Sequence, residues 1–196
     1  MTGILKLKNG MKNCFYFLQN KMKKCGKIRR LIMEYVDLVD ENDNVIKAVT
    51  REYLDRNNSR NYRVVNIIII NSNNQIILAK RSKKKKWFGG CYFFSVGGHV
   101  IANENYEDAA YRELEEELGI KFKNLEEIGY FNPMESGTSS FSKLYKLKYD
   151  GEFIIDKDEI ETMCYFEKKE LDRIIIDNPE KFSSDFIKIY PKICIF

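Results

Sequence analysis

The chain has 196 residues, is 44% hydrophobic and carries a formal net charge of +4. That length fits one domain with a substantial core, and no run of about 18 apolar residues exists, so no membrane-spanning helix is expected. The charge is uneven: residues 1–32 hold nine Lys/Arg and no acid, leaving 24 basic and 29 acidic residues beyond them. A mildly acidic domain of this kind gives no strong nucleic-acid signal.

The basic leader, 1–32, reads as a disordered tail, a targeting peptide or a stretch that is not translated, because domain-like sequence opens at Met33. The domain is then 33–196. Tyr35–Val39 alternates and reads as a strand, Asp40–Asn44 as a turn, and Val45–Val49 as the hairpin partner. Thr50–Leu54 opens a short helix. Val64–Ile70 is a buried strand, and Gln75–Ala79 follows it after a turn. Arg81–Lys86 is a basic loop. Phe93–Val96 is expected to be a short strand ending at Gly97-Gly98.

Tyr106–Leu118 reads as a helix, with Ala110, Leu114 and Leu118 recurring at i, i+4 and i+8. Gly119 falls where a left-handed helix stop is expected. Strands follow at Leu125–Phe131, Ser142–Tyr149 and Met163–Phe166. In the second of these, Leu144, Leu147 and Tyr149 are expected to alternate with lysines. Helices are expected at Lys168–Ile176 and Ser184–Tyr190, broken at Asn178-Pro179.

The central helix breaks two local rules. Glu113, Glu116 and Glu117 share one face. Like charges at i, i+4 cost roughly 0.2–0.5 kcal/mol per pair, and acids near a helix C-terminus oppose its dipole. Such conflicts often mark function, and Mg²⁺ or Mn²⁺ would reverse them, since hard cations prefer oxygen ligands. Ala109, one turn before Glu113, is small enough not to block a ligand. A solvated acidic face would look similar, but the frame around it does not. Gly98, Glu104, Arg112-Glu113-Leu114, Glu116-Glu117 and Gly119-Ile120 form G-x5-E-x7-R-E-U-x-E-E-x-G-U, with U apolar. A chance match is on the order of 10⁻⁹ per window.

This pattern resembles the Nudix box of metal-dependent hydrolases that cut diphosphates linked to another moiety. The likeness extends to Tyr35–Arg51, Ile77–Arg81, Asp158-Glu159-Ile160 and Phe182-Ser183, which resemble a subgroup related to type I isopentenyl-diphosphate isomerase. The resemblance implies a Nudix-type α/β/α sandwich with a mixed sheet, and Mg²⁺ or Mn²⁺ as cofactor. It implies Gly97, Glu113, Glu116 and Glu117 as metal ligands. Glu116, Glu117, Glu159 and Arg112 form the catalytic set, with Glu135 a second candidate base. Arg81 and Glu104 are the candidate substrate contacts. Glu104 and Arg112 would also orient the loop and helix. Lys83–Lys86 read mainly as a solvated loop.

The isomerases carry a cysteine in an S-V-C-G-H stretch, where this chain reads Ser95-Val96-Gly97-Gly98-His99. Glycine transfers no proton, and His99 is the only histidine. A hydrolase of a nucleoside diphosphate linked to another moiety, or of a nucleoside triphosphate, is the leading reading. An isomerase-like enzyme and a non-catalytic binding module are the rivals. Five widely spaced cysteines without a C-x-x-C point to reduced thiols in the cytoplasm. The expected partner is a small-molecule diphosphate substrate, with no membrane; a homodimer stays open. Trp87, Tyr92 and Phe131 could stack on a base or fill the core.

Overall fold

The computed structural model describes residues 34–121 and 124–195. The basic leader lies outside them. A two-stranded hairpin, β1 (Tyr35–Val39) and β2 (Val45–Thr50), leads into α1 (Arg51–Asn57). Asp40 closes the hairpin turn by accepting from the Asn42 and Asn44 amides at 2.9 and 2.8 Å, as Asx turns do. Thr50 caps α1 by accepting from the Tyr53 amide.

The main sheet is built on β3 (Arg63–Ile70) and β4 (Ile76–Arg81). β5 (Tyr92–Phe93) and β9 (Ile160–Phe166) pair with β4, and β6 (Val96–His99) pairs with β3. β8 (Phe141–Lys148) runs parallel to β3 and antiparallel to β7 (Glu126–Phe131). The sheet is therefore mixed. Its β3 row has two buried faces: Val65, Ile67 and Ile69 join one core cluster, and Ile68 and Ile70 the other. The same holds for β8, where Leu144 faces the second cluster while Tyr145 and Leu147 face the first. The expected one-sided alternation of Leu144, Leu147 and Tyr149 is corrected accordingly, because a central strand is covered on both faces.

The strand expected at Phe93–Val96 is two strands with a break at Phe94-Ser95. β3 pairs with β4 near Ile69 and Ile70 and with β6 from Val64 to Ile67. Ser95 fills the fork between them. Its hydroxyl accepts from the Ile69 amide at 2.7 Å and donates to the Ile77 carbonyl. Past the break, β6 runs through Gly97-Gly98 to His99 instead of ending before them.

The helix α2 (Tyr106–Leu118) covers the first core cluster. Asn105 caps its start by accepting from the Asp108 amide, and Gly119 ends it at φ 70°. Ala110, Leu114 and Leu118 are fully buried, each large side chain contributing roughly 1.5–3 kcal/mol by leaving water. Ala109 is buried in this core too, so its small size serves close packing on the sheet and not ligand access. The opposite sheet face is covered by α4 (Lys168–Asp177) and α5 (Ser184–Ile189), through Leu171, Phe186 and Ile189. A short α3 (Pro133–Ser136) precedes β8. Helices on both faces of a mixed sheet make an α/β/α sandwich, as expected.

Candidate metal and diphosphate site

The site grows from the pairing of β6 with α2. Gly98 lies where an added Cβ would coincide with the Glu113 carboxylate, so only glycine lets this side chain sit against the strand. A Cβ on Gly97 would fall 2.6 Å from both Asn66 Oδ1 and the Phe93 ring. A side chain at the place of the isomerase cysteine would therefore require Asn66 and Phe93 to shift.

Arg112 is the hub. Its Nε and one terminal nitrogen donate to the two Glu104 oxygens at 2.9 and 2.8 Å. That second nitrogen also donates to the His99 carbonyl at 2.8 Å, and the other reaches Glu113 and Glu116 at 2.5 and 3.5 Å. The guanidinium is only 11% exposed, and its carboxylate neighbours hold its pKa above the usual arginine value against the opposing effect of burial. Glu104 also accepts from the Ile101 amide. Both its oxygens accept hydrogen bonds within the protein, and through them Glu104 ties the loop to the helix. His99 stacks on Tyr62 with ring centroids 5.2 Å apart.

Glu117 is buried on the same face, and its pKa is raised well above the usual carboxylate value. Burial is the main cause, followed by the charges of Glu113 and Glu159; Arg81 and Lys85 oppose it. Glu159 arrives because residues 154–159 run over the end of α2. The Ile154 and Asp156 amides donate to the Leu118 and Glu117 carbonyls, both at 2.9 Å, satisfying acceptors that the helix leaves open. Gly119 permits this crossing, since a Cβ there would meet Ile154 at 2.8 Å. Lys85 pairs with Glu159, and both side chains are about four-fifths buried.

Arg81, at the end of β4, faces this group. Its Nε is buried without a hydrogen-bond partner, and among the described residues no carboxylate lies within ion-pair distance of it. The guanidinium lies 5.0 Å over the Phe93 ring. Burial lowers its pKa, with Glu117 and Glu159 pulling the other way. Lys83, Lys84 and Lys86 are exposed, as a solvated loop requires, with Lys84 meeting Asp158 at 2.7 Å and Lys86 3.9 Å from Asp55 as surface pairs. Glu135 lies apart from the group. It sits on α3, where its charge acts on Tyr130.

Glu113, Glu116, Glu117 and the Gly97 carbonyl offer an all-oxygen donor set suited to a hard divalent cation. Among the described residues no three such side chains already stand as a cage; Glu113 and Glu116 are turned toward Arg112.

Three contacts had no local sequence signal. The Tyr106 hydroxyl, on the first residue of α2, donates to Asp43 at 2.8 Å, and Arg63 Nε donates to the same carboxylate at 2.6 Å. The Asn103 amide donates to Asp37 at 3.0 Å. They tie the N-terminal hairpin to β3 and to the loop and helix of the site.

The NUDIX domain model matches residues 60–192, and the chain belongs to the Nudix family and is a Nudix hydrolase. It is 35% identical to an uncharacterized Nudix hydrolase of Nostoc over 160 residues, 80% of this chain and 94% of that one. A Nudix hydrolase of Deinococcus radiodurans is 35% identical over 129 residues, 65% of this chain and 75% of that one. The crystal structure of DR0079 from the same organism superposes with a TM-score of 0.74 at 28% identity, covering 81% of this chain and 98% of that one. No helix among the described residues is long and apolar enough to cross a membrane.

Proposed function

We propose that this chain is a Mg²⁺- or Mn²⁺-dependent hydrolase of a nucleoside diphosphate linked to another moiety, or of a nucleoside triphosphate. The observation that carries the reading is the convergence of buried Glu117 with Glu113, Glu159 and Arg81, whose Nε has no hydrogen-bond partner. When bound, the divalent cation neutralises diphosphate oxygens and makes a water easier to deprotonate. Glu113, Glu116, Glu117 and the Gly97 carbonyl hold it. Glu159 is the base favoured over Glu135, because it lies within the field of Glu117 and Glu135 does not figure there. Arg81 binds a phosphate oxygen. Arg112, with Glu104, fixes the helix against the loop. The wide spacing of the five cysteines, with no C-x-x-C, supports a cytoplasmic setting.

Glycine at position 97 transfers no proton and His99 is the single histidine, so the reading carries no isomerase chemistry. A panel of diphosphates incubated with Mg²⁺ and scored by phosphate release tests the reading. Nucleoside diphosphate derivatives or triphosphates should be cut, and phosphate monoesters should not. Conversion of isopentenyl diphosphate to its isomer, with no hydrolysis of any member, would contradict it.

A further inference from the structure

The tip of the N-terminal hairpin plugs into the domain through one carboxylate. Asp43 stands in the turn at φ 65°, a left-handed position that glycine or asparagine fills at least cost. The turn is already closed by Asp40, which accepts from Asn42 and Asn44. Asp43 is not needed for that closure, and its side chain is turned inward, only 14% exposed. It accepts one donor from each of three elements: Arg63 Nε of β3 at 2.6 Å, the Tyr106 hydroxyl of α2 at 2.8 Å and the Tyr130 hydroxyl of β7 at 3.2 Å. Burial, and then the Asp43 charge, holds both phenols above the usual tyrosine pKa, so both remain donors. A buried carboxylate is costly unless paired, and what this one holds explains its place.

It holds the loop between β6 and α2. Residues 100–105 touch the hairpin and β3 together. Val36 bridges to Ile101, the Ala102 amide donates to the Tyr35 carbonyl at 2.8 Å, and the Val100 amide donates to the Arg63 carbonyl at 3.0 Å. Two hairpin carboxylates bracket Glu104: Asp37 accepts from the Asn103 amide and Asp43 from the Tyr106 hydroxyl. Glu104 in turn grips Arg112 by two bonds, and Arg112 also reaches Glu113 and Glu116. Contacts thus run unbroken from Asp43 to two of the cation ligands named above. A guanidinium and a divalent cation compete for the same carboxylate oxygens. A loop that lets Glu104 slip would leave Arg112 to Glu113 and Glu116 alone, at the expense of the metal. Outer partners of this kind set the affinity of a metal site through its ligands.

We propose that Asp43 is a positioning residue for the cation site: through Tyr106 and the 100–105 loop it keeps Glu104 on Arg112 and so leaves Glu113 and Glu116 open to the metal. The hairpin is then part of the working site and not a surface appendage. The proposal rests on the hydrolase reading above and adds a distant determinant of its metal requirement.

Mn²⁺ titrated into the full-length protein, with the free ion followed by electron paramagnetic resonance, reads the site without turnover. Asp43→Ala should weaken Mn²⁺ binding about two- to thirtyfold, the range of coupling carried by residues that touch neither ligand. Tyr106→Phe, which removes a single hydroxyl, should act in the same direction by a smaller factor, and it decides alone if Asp43→Ala fails to fold. The Mg²⁺ concentration for half-maximal turnover should rise in step, with KM for substrate at saturating Mg²⁺ within about twofold of wild type. Tyr130→Phe removes the bond on the β7 side, away from the loop. It should lower the melting midpoint and leave Mn²⁺ affinity at the wild-type value. Unchanged Mn²⁺ affinity in Tyr106→Phe, or an equal loss in Tyr130→Phe, makes the cluster a general structural contact; either overturns the proposal and leaves the hydrolase reading standing. If the wild type neither binds Mn²⁺ nor needs a metal for turnover, the hydrolase reading fails and takes this proposal with it.

Discussion

Glu117→Gln should lower turnover by about two to four orders of magnitude while the fold persists, the range expected when a principal catalytic group is lost. The amide keeps the shape but removes the charge proposed to hold the cation. Its effect on stability should run the other way. Glu117 has a folded pKa above its unfolded value because it is buried beside Glu113 and Glu159. For such a group, stability is fully present below the unfolded pKa and is lost as pH rises through the folded one. The metal-free wild type therefore bears this cost near neutrality, and the glutamine variant does not. Thermal melts in chelator at pH 7 should show Glu117→Gln at or above the wild-type midpoint. Wild-type turnover in this variant would make the acidic face an ordinary helix surface.

Arg112→Met should destabilise the protein by about 3–5 kcal/mol, the cost of removing one partner from buried ion pairs. Its guanidinium serves Glu104 and Glu113, whose side chains are 2% and 6% exposed. Without it both carboxylates lose the guanidinium charge, and the His99 carbonyl loses a donor. Urea denaturation reads the loss directly. Adding Glu104→Gln should recover part of it, because one of the stranded charges is then gone. A single Arg112→Met variant within about 0.5 kcal/mol of wild type, the usual range for surface changes, would show that the hub is not structural.

Local signals made the helix legible: its apolar stripe, its stop at Gly119 and the spacing of its acids all appear in the folded chain. The strands were legible as apolar runs but not in their partners. Phe93–Val96 looks like one strand, and only the fork between β4 and β6 explains why Ser95 interrupts it. Ala109 fits either ligand access or tight packing until the sheet beneath it is known. The pairs that assemble the site, Lys85 with Glu159 and Asp43 with Tyr106, join residues 74 and 63 positions apart. Such contacts are set by chain crossings that no window of sequence contains. Trp87 differs from Tyr92 and Phe131 only by exposure, a property of the packed state.

Turnover after exhaustive chelation, followed by Mg²⁺ add-back, tests the central claim most directly: that Glu113, Glu116 and Glu117 form a divalent-cation site. Hydrolysis should fall to background without metal and return with Mg²⁺ or Mn²⁺. Full turnover in metal-free buffer would contradict it.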